Sequence, residues 1–261
     1  KTAVLIVAVI ALVIAALMLV GWIAQLRGLS LSDTDHKIKL FSFKSEPTPD
    51  PHEGQVYIND GFGMTWMTPL EGVDVSTLKP HDFSYSSGKL SYIGGDFDVL
   101  RGVDVSEHQH EIDWNAVKAS GIDFAFIRAG YRGYTEGGIF KDAFANRNLR
   151  DAHDAGLKVG VYFFSQAISP EEAREEAQFV LNIIENYEID LPVIYDWEKI
   201  EDTAEARTND LPSEVLDECA IAFCEEIKAA GYDAGVYFNR HLGYYRYDLS
   251  KLTDYYFWVA V

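Results

Sequence analysis

Residues 191–198, Leu191-Pro192-Val193-Ile194-Tyr195-Asp196-Trp197-Glu198, form an apolar run that ends in two acids. Their neighbours on either side decide the fold. Upstream, Ser169-Pro170-Glu171-Glu172 is a strong helix start with Pro at the first helical position, and it opens a helical pattern over 169–187. Ahead of it, residues 159–166 read as a buried strand. Downstream, Leu216, Ala220, Phe223, Ile227 and Ala230 recur at spacings of four and three, which predicts a helix over 212–230. Residues 233–239 read as the next strand. Strands at 101–106, 124–131 and 256–261 and helices at 113–120 and 141–155 extend the alternation. Gly121, Gly156 and Gly231 each follow a helix, where a left-handed closing residue is wanted. Strands alternating with helices imply an α/β fold with a parallel sheet, closed into a barrel or open.

The two acids then acquire a geometry. Alternation along a strand sends Asp196 and Glu198 to one face, roughly 6–7 Å apart, and Val193, Tyr195 and Trp197 to the other. Paired carboxylates near that spacing are what cleavage of a glycosidic bond requires: one protonates the leaving oxygen, the other serves the opposite side. The same residues also fit a plainer reading. In it, Asp196 caps a helix beyond the strand and Glu198 is solvated or paired with Lys199.

Composition sets bounds. The chain has 261 residues, 48% hydrophobic and 13% aromatic, enough for one sizeable core and something smaller. A net charge of −19 argues against nucleic-acid binding, which needs clustered Lys and Arg, and against electrostatic capture by anionic cell-surface polymers. Cys219 and Cys224 lie about 140° apart around their helix, so an intrahelical disulfide is not expected and both read as packing residues. His108 and His110 have no recognisable ligand set around them, and a metal-dependent deacetylase is a weak reading. No metal or cofactor is called for.

Residues 1–27 read as a transmembrane signal anchor. Ala3 to Ala24 is almost wholly aliphatic, long enough to cross ~30 Å of hydrocarbon as a helix. It exceeds the roughly 7–15 apolar residues of a signal peptide and lacks a convincing small-x-small cleavage site. We place the N-terminus inside and the remainder outside. Residues 28–54 form a polar spacer ending in Glu46-Pro47-Thr48-Pro49-Asp50-Pro51, an extended, semi-rigid composition. Residues 55–100 form a small β-rich segment. There Asn59-Asp60-Gly61 joins Val56–Ile58 to Phe62–Trp66, and Ser86-Ser87-Gly88 joins Phe83–Tyr85 to Leu90–Ile93.

In a parallel β/α barrel, site residues come from the C-terminal ends of several strands. Here those ends carry Asp104; Arg128 and Tyr131; Tyr162 and Phe164; Asp196 and Glu198; and Tyr237 and Asn239. Trp258 lies in the last strand. A rim of acids and flat rings suits a sugar chain.

The motifs Arg101-Gly102-Val103-Asp104-Val105-Ser106, Ile112-Asp113-Trp114, Gly160-Val161-Tyr162-Phe163-Phe164 and Tyr195-Asp196-Trp197-Glu198 resemble glycoside hydrolase family 25 over residues 101–261. These are the lysozymes, or N-acetylmuramidases. The resemblance implies an irregular, TIM-like β/α barrel and a membrane-anchored bacterial member that acts on peptidoglycan glycan strands. It implies Glu198 as general acid/base, with Asp196 and Asp104 as supporting carboxylates. A neighbouring carboxylate and partial burial would both raise the pKa of Glu198, as an acid working near neutral pH needs. Substrate assistance by the 2-acetamido group, and direct attack or water activation by a carboxylate, both remain open. The family pattern continues past Phe257-Trp258-Val259-Ala260-Val261 into strands carrying another aspartate, so C-terminal strands are expected to be missing here. That departure leaves a second reading, a non-catalytic peptidoglycan-binding or scaffold module.

Overall fold

The computed structural model describes residues 50–201, 203 and 205–261. The anchor expected at 1–27 and most of the 28–54 spacer lie outside the described residues. Among the described residues, no helix is long and apolar enough to cross a membrane.

Two hairpins come first. β1 (Val56–Asn59) pairs antiparallel with β2 (Met64–Met67), and β3 (Phe83–Ser86) with β4 (Lys89–Tyr92). The second turn places Ser87 and Gly88 at φ 53° and 74°, the doubly left-handed pair that matches strand twist. In the first hairpin, β2 begins two residues later than the sequence pattern suggests. Asp60 Oδ1 accepts the amides of Phe62 and Gly63 at 2.9 and 3.0 Å, which folds both into the turn.

β5 (Gly102–Val105) then leads through α1 (Trp114–Ala119) to β6 (Phe124–Arg132). A short strand, β7 (Ile139–Lys141), and α2 (Ala145–Asp154) precede β8 (Lys158–Ser165). α3 (Pro170–Ile184), β9 (Val193–Trp197), α4 (Ser213–Ala229), β10 (Ala234–Asn239), α5 (Arg240–Tyr245) and β11 (Tyr256–Ala260) complete the order.

The sheet runs β11-β10-β9-β8-β6-β5, all parallel, with β7 antiparallel to the end of β6. It is a curled half-barrel: among the described residues β11 and β5 are its free edges. The helix expected from 141 starts instead at Ala145. Lys141 is held in the β6–β7 ladder, and Asp142 Oδ1 takes the Phe144 amide at 2.9 Å, so the chain turns before it coils.

The outer face is the core. Ala125, Ile127, Val159, Val161, Phe163, Val193, Tyr195, Trp197 and Val236 are fully buried beneath the helices. α3 contributes Ala173, Ala177, Val180 and Ile184, and α4 contributes Leu216, Ala220, Phe223 and Ile227. Ser169 caps α3 by accepting the Glu172 amide. Cys219 and Cys224 are both buried free thiols in this layer.

Candidate active site

Alternation puts the complementary set of side chains on the concave face, and the register brings them side by side. Asp104 of β5 pairs with Phe126 of β6, Arg128 with Tyr162 of β8, and Phe164 with Asp196 of β9. Asp196 is flanked on its other side by Tyr237 of β10, which in turn pairs with Trp258 of β11. Paired residues on adjacent strands are about 5 Å apart and share a face. Asp196 therefore sits between two aromatic side chains. Trp258 gathers three other rings, with Phe126 stacked at 4.7 Å and Tyr237 and Tyr162 edge-on at 5.4 and 6.1 Å.

A bulge shapes the β6 contribution. The register slips between Arg128 and Gly130, so Tyr131 aligns with Phe164 and turns to the concave face that Arg128 also occupies. Without the extra residue, strict alternation would put these two, three positions apart, on opposite faces. The Arg128 guanidinium lies 5.1 Å from the Tyr131 ring centroid. It is already engaged: Nε donates to Asp142 Oδ2 at 2.9 Å, and a terminal nitrogen lies 3.3 Å from Glu107 Oε1. Asp142, itself fully buried, also accepts the Glu107 amide and so ties β6 to the loop after β5.

The electrostatics centre on Asp196. Its side chain is buried, and Oδ1 has no hydrogen-bond partner among the described residues. Burial raises its pKa well above the usual carboxylate range, the charges of Glu198 and Asp104 push the same way, and Arg128 opposes them. The carboxyl whose proton burial holds is thus Asp196. Tyr237 is pushed up first by burial, then by the charges of Glu198 and Asp196 and by its hydrogen bond with Glu198. Tyr162 is pushed up by burial and by Asp196 and Asp104, against Arg128.

Glu198 lies one residue past the end of β9. Its position is set from its backbone: buried Gln166, just after β8, donates Nε2 to the Glu198 carbonyl at 3.0 Å. Thr208, also buried, donates to Gln166 Oε1 at 2.6 Å and fixes which way that amide points. Beneath this turn, Glu176 accepts from Arg132 Nε at 2.6 Å, and burial raises its pKa against the pull of Ser165 and Arg132. Asn239 is used locally: its Oδ1 accepts the Leu242 amide at 2.9 Å and caps α5. Gln166, Thr208, Asp142 and Glu107 carry no periodic or motif signal in the sequence. Only the fold brings them to the site.

A cavity of about 400 Å³ opens lower in the half-barrel, toward the free edges. It is lined mainly by Phe124, Phe126, Ile194 and Trp258, with Asp104 its one charged wall, and it reaches neither Asp196 nor Glu198. Among the described residues, no group of three or more His, Cys, Asp or Glu side chains is placed to hold a metal ion.

Over 141 residues the chain is 30% identical to lysozyme M1 of Streptomyces globisporus, covering 52% of this chain and 40% of that protein. Over 162 residues it is 28% identical to the autolytic lysozyme of Clostridium acetobutylicum, covering 62% and 44%. The matched region thus spans less than half the length of either relative. Among solved structures, a family 25 glycosyl hydrolase from Bacillus anthracis shares the fold with a TM-score of 0.50 at 23% identity, over 64% of this chain and 72% of that one. The modular autolysin LytC of Streptococcus pneumoniae gives 0.51 at 20% identity, over 73% and 43%. The profile of glycosyl hydrolases family 25 matches residues 103–261, the whole of the half-barrel from Val103 onward, and the chain belongs to that family.

Proposed function

We propose that the chain carries a peptidoglycan hydrolase that cleaves the β-1,4 bond between N-acetylmuramic acid and N-acetylglucosamine. The observation that carries this reading is Asp196, buried between Phe164 and Tyr237 and under the influence of Glu198 and Asp104. Such a cluster shares protons, and the charge state of one member depends on the others. Burial favours the proton on Asp196. A substrate amide N–H donating to Asp196 stabilises its charged form, and the proton passes to Glu198, giving the neutral acid beside an ionised carboxylate that glycoside cleavage uses.

Glu198 then gives that proton to the leaving oxygen as the bond to the anomeric carbon breaks. On the other side, the acetamido carbonyl oxygen of the substrate bonds to the anomeric carbon while Asp196 accepts a hydrogen bond from the amide N–H. Water opens that ring, and its proton returns to Glu198, with net retention. Asp104 adds negative charge near the developing cation. Phe164, Tyr131, Tyr237 and Trp258 supply flat walls for the sugar rings. Arg128 tunes the carboxyls and holds Tyr131, and Asn239 steadies the edge of the cleft. No cofactor takes part.

The half-barrel is read as the described portion of an irregular, TIM-like β/α barrel. The aliphatic run from Ala3 to Ala24 supports a single-pass anchor in the cell membrane with the hydrolase outside. Protease treatment of intact cells, which should remove the hydrolase domain, tests that placement.

The catalytic proposal is tested by incubating purified peptidoglycan with the chain and following release of soluble fragments. Release by the chain that disappears in Glu198→Gln is the expected outcome. Binding without release would transfer the function to a scaffold module.

A further inference from the structure

The β1–β2 hairpin lies outside the family match and plays no part in the chemistry above. Its two faces differ. The pairings Tyr57 with Trp66 and Asn59 with Met64 put these four side chains on one face. Ile58, Thr65 and Met67, on the other, are half-buried, and Val56 at its end is 44% exposed. On the first face Tyr57, Met64 and Trp66 are 55%, 52% and 42% exposed. Trp66 is nonetheless fixed, stacked on His52 at 4.1 Å with Tyr57 at 4.9 Å. Phe62, at the tip, is 81% exposed.

The tip is docked. Tyr245 donates its hydroxyl to Asp60 Oδ2 at 2.8 Å, and Phe62 meets the His241 ring edge-on at 4.9 Å. Asp60 is held ionised by the Phe62 amide and then by Tyr245, so one carboxylate both shapes the turn and anchors it. Both contacts fall on α5, which begins directly after Asn239 and is only about 9 Å long. Tyr237, two residues before Asn239, faces Glu198 and Asp196. The hairpin therefore stands beside the rim of the candidate cleft. Tyr244 and Tyr245, 40% and 45% exposed, continue the row of rings.

We propose that Tyr57, Phe62, Trp66 and Tyr245 form an auxiliary glycan platform. It would hold sugar rings of a β-1,4-linked N-acetylhexosamine strand several residues away from the bond that is cut. The proposal rests on the hydrolase reading of the adjoining cleft. Rigid, exposed aromatic side chains offer flat apolar area at low entropic cost, and here they come as two groups, Tyr57 with Trp66 along the hairpin and Phe62 with His241 and Tyr245 at its tip. Pyranose rings present apolar C–H faces of that shape.

The test measures binding of the N-acetylglucosamine dimer and hexamer by calorimetry, using the chain with Glu198→Gln so that nothing is cleaved. Tighter binding of the hexamer is expected. Adding Tyr57→Ala and Phe62→Ala should weaken the hexamer about tenfold and leave the dimer unchanged. Both positions are exposed, and an unchanged urea midpoint would verify folding. Tyr245→Phe, which frees the tip without removing a ring, should weaken the hexamer in the same direction. An unchanged hexamer affinity in both variants would overturn the platform and leave the hydrolase reading standing. Failure of the hexamer to bind the parent more tightly than the dimer would also overturn the platform, while release from peptidoglycan tests the hydrolase reading separately. A concentration-dependent dimer that disappears with Phe62→Ala would assign the surface to a second copy and overturn the glycan proposal.

Discussion

The two faces of the sheet are built from the same strands and do opposite work. On the convex face of β9, Val193, Tyr195 and Trp197 are fully buried against α4, with Tyr195 5.4 Å from Phe223. On the concave face of that strand, Asp196 is buried without a partner for Oδ1. A buried polar atom left unsatisfied costs about 1–3 kcal/mol, and the strand carries such atoms on both faces, Trp197 Nε1 on the convex side and Asp196 Oδ1 on the concave. What sets the concave face apart is that its atom belongs to a carboxyl whose pKa burial raises. The period of two assigns neighbours in sequence to these separate tasks. β6 departs from it at one bulge, and the departure adds Tyr131 to the concave set.

Substitutions on the two faces should separate activity from stability. Glu198→Gln is predicted to lower peptidoglycan turnover about 10²–10⁴-fold, with a urea midpoint close to the parent's. Phe163→Ala is the mirror case: a fully buried ring on the convex face, whose loss should cost about 3–5 kcal/mol of stability in urea titration. An activity loss in Phe163→Ala with stability intact would break the distinction.

Gln166→Leu sharpens it, because that residue belongs to the interior yet holds Glu198. Loss of its amide strands the Glu198 carbonyl and the Thr208 hydroxyl and should cost about 1–3 kcal/mol. It should also lower kcat more than it changes KM, a split that simple destabilisation would not give.

The smallest effect concerns pH. Asp196 has its pKa raised in the folded state, so the folded chain holds the extra proton between the ordinary carboxylate value and the raised one. Stability is then fully present below the ordinary value, near 3.9, and declines as pH rises through the folded pKa. Asp196→Asn should flatten this dependence, read as the difference in urea midpoint between pH 5 and pH 8. A steeper fall in the variant would contradict the assignment.

The long elements were legible because each spans enough residues for its period to repeat. The apolar spacing of Leu216, Ala220, Phe223 and Ile227 identifies α4, and the continuous apolar run in 159–166 identifies β8. What escaped is short or non-local. β7 has three residues, too few for a period, and α5 is defined by its Asn239 cap rather than an apolar stripe. Phe62 reads as a strand residue until the Asp60 carboxylate claims its amide.

At the site, the strand-end residues were nameable because barrel geometry brings strand ends together. The division of labour among them was not. Arg128 is committed to Asp142, fourteen positions away, and to Glu107, across a loop. Which carboxyl holds a proton depends on burial. Strand spacing treats Asp196 and Glu198 alike, but Asp196 ends up in the buried strand and Glu198 lies one residue beyond its end.

The most direct measurement is the identity of the sugar at each newly formed reducing end. Digests of purified peptidoglycan by the chain would be reduced with borohydride and the products weighed by mass spectrometry. The account predicts reduced N-acetylmuramic acid at the new ends, and none in the Glu198→Gln digest. Reduced N-acetylglucosamine at the new ends, or equal release by the Glu198→Gln variant, would contradict it.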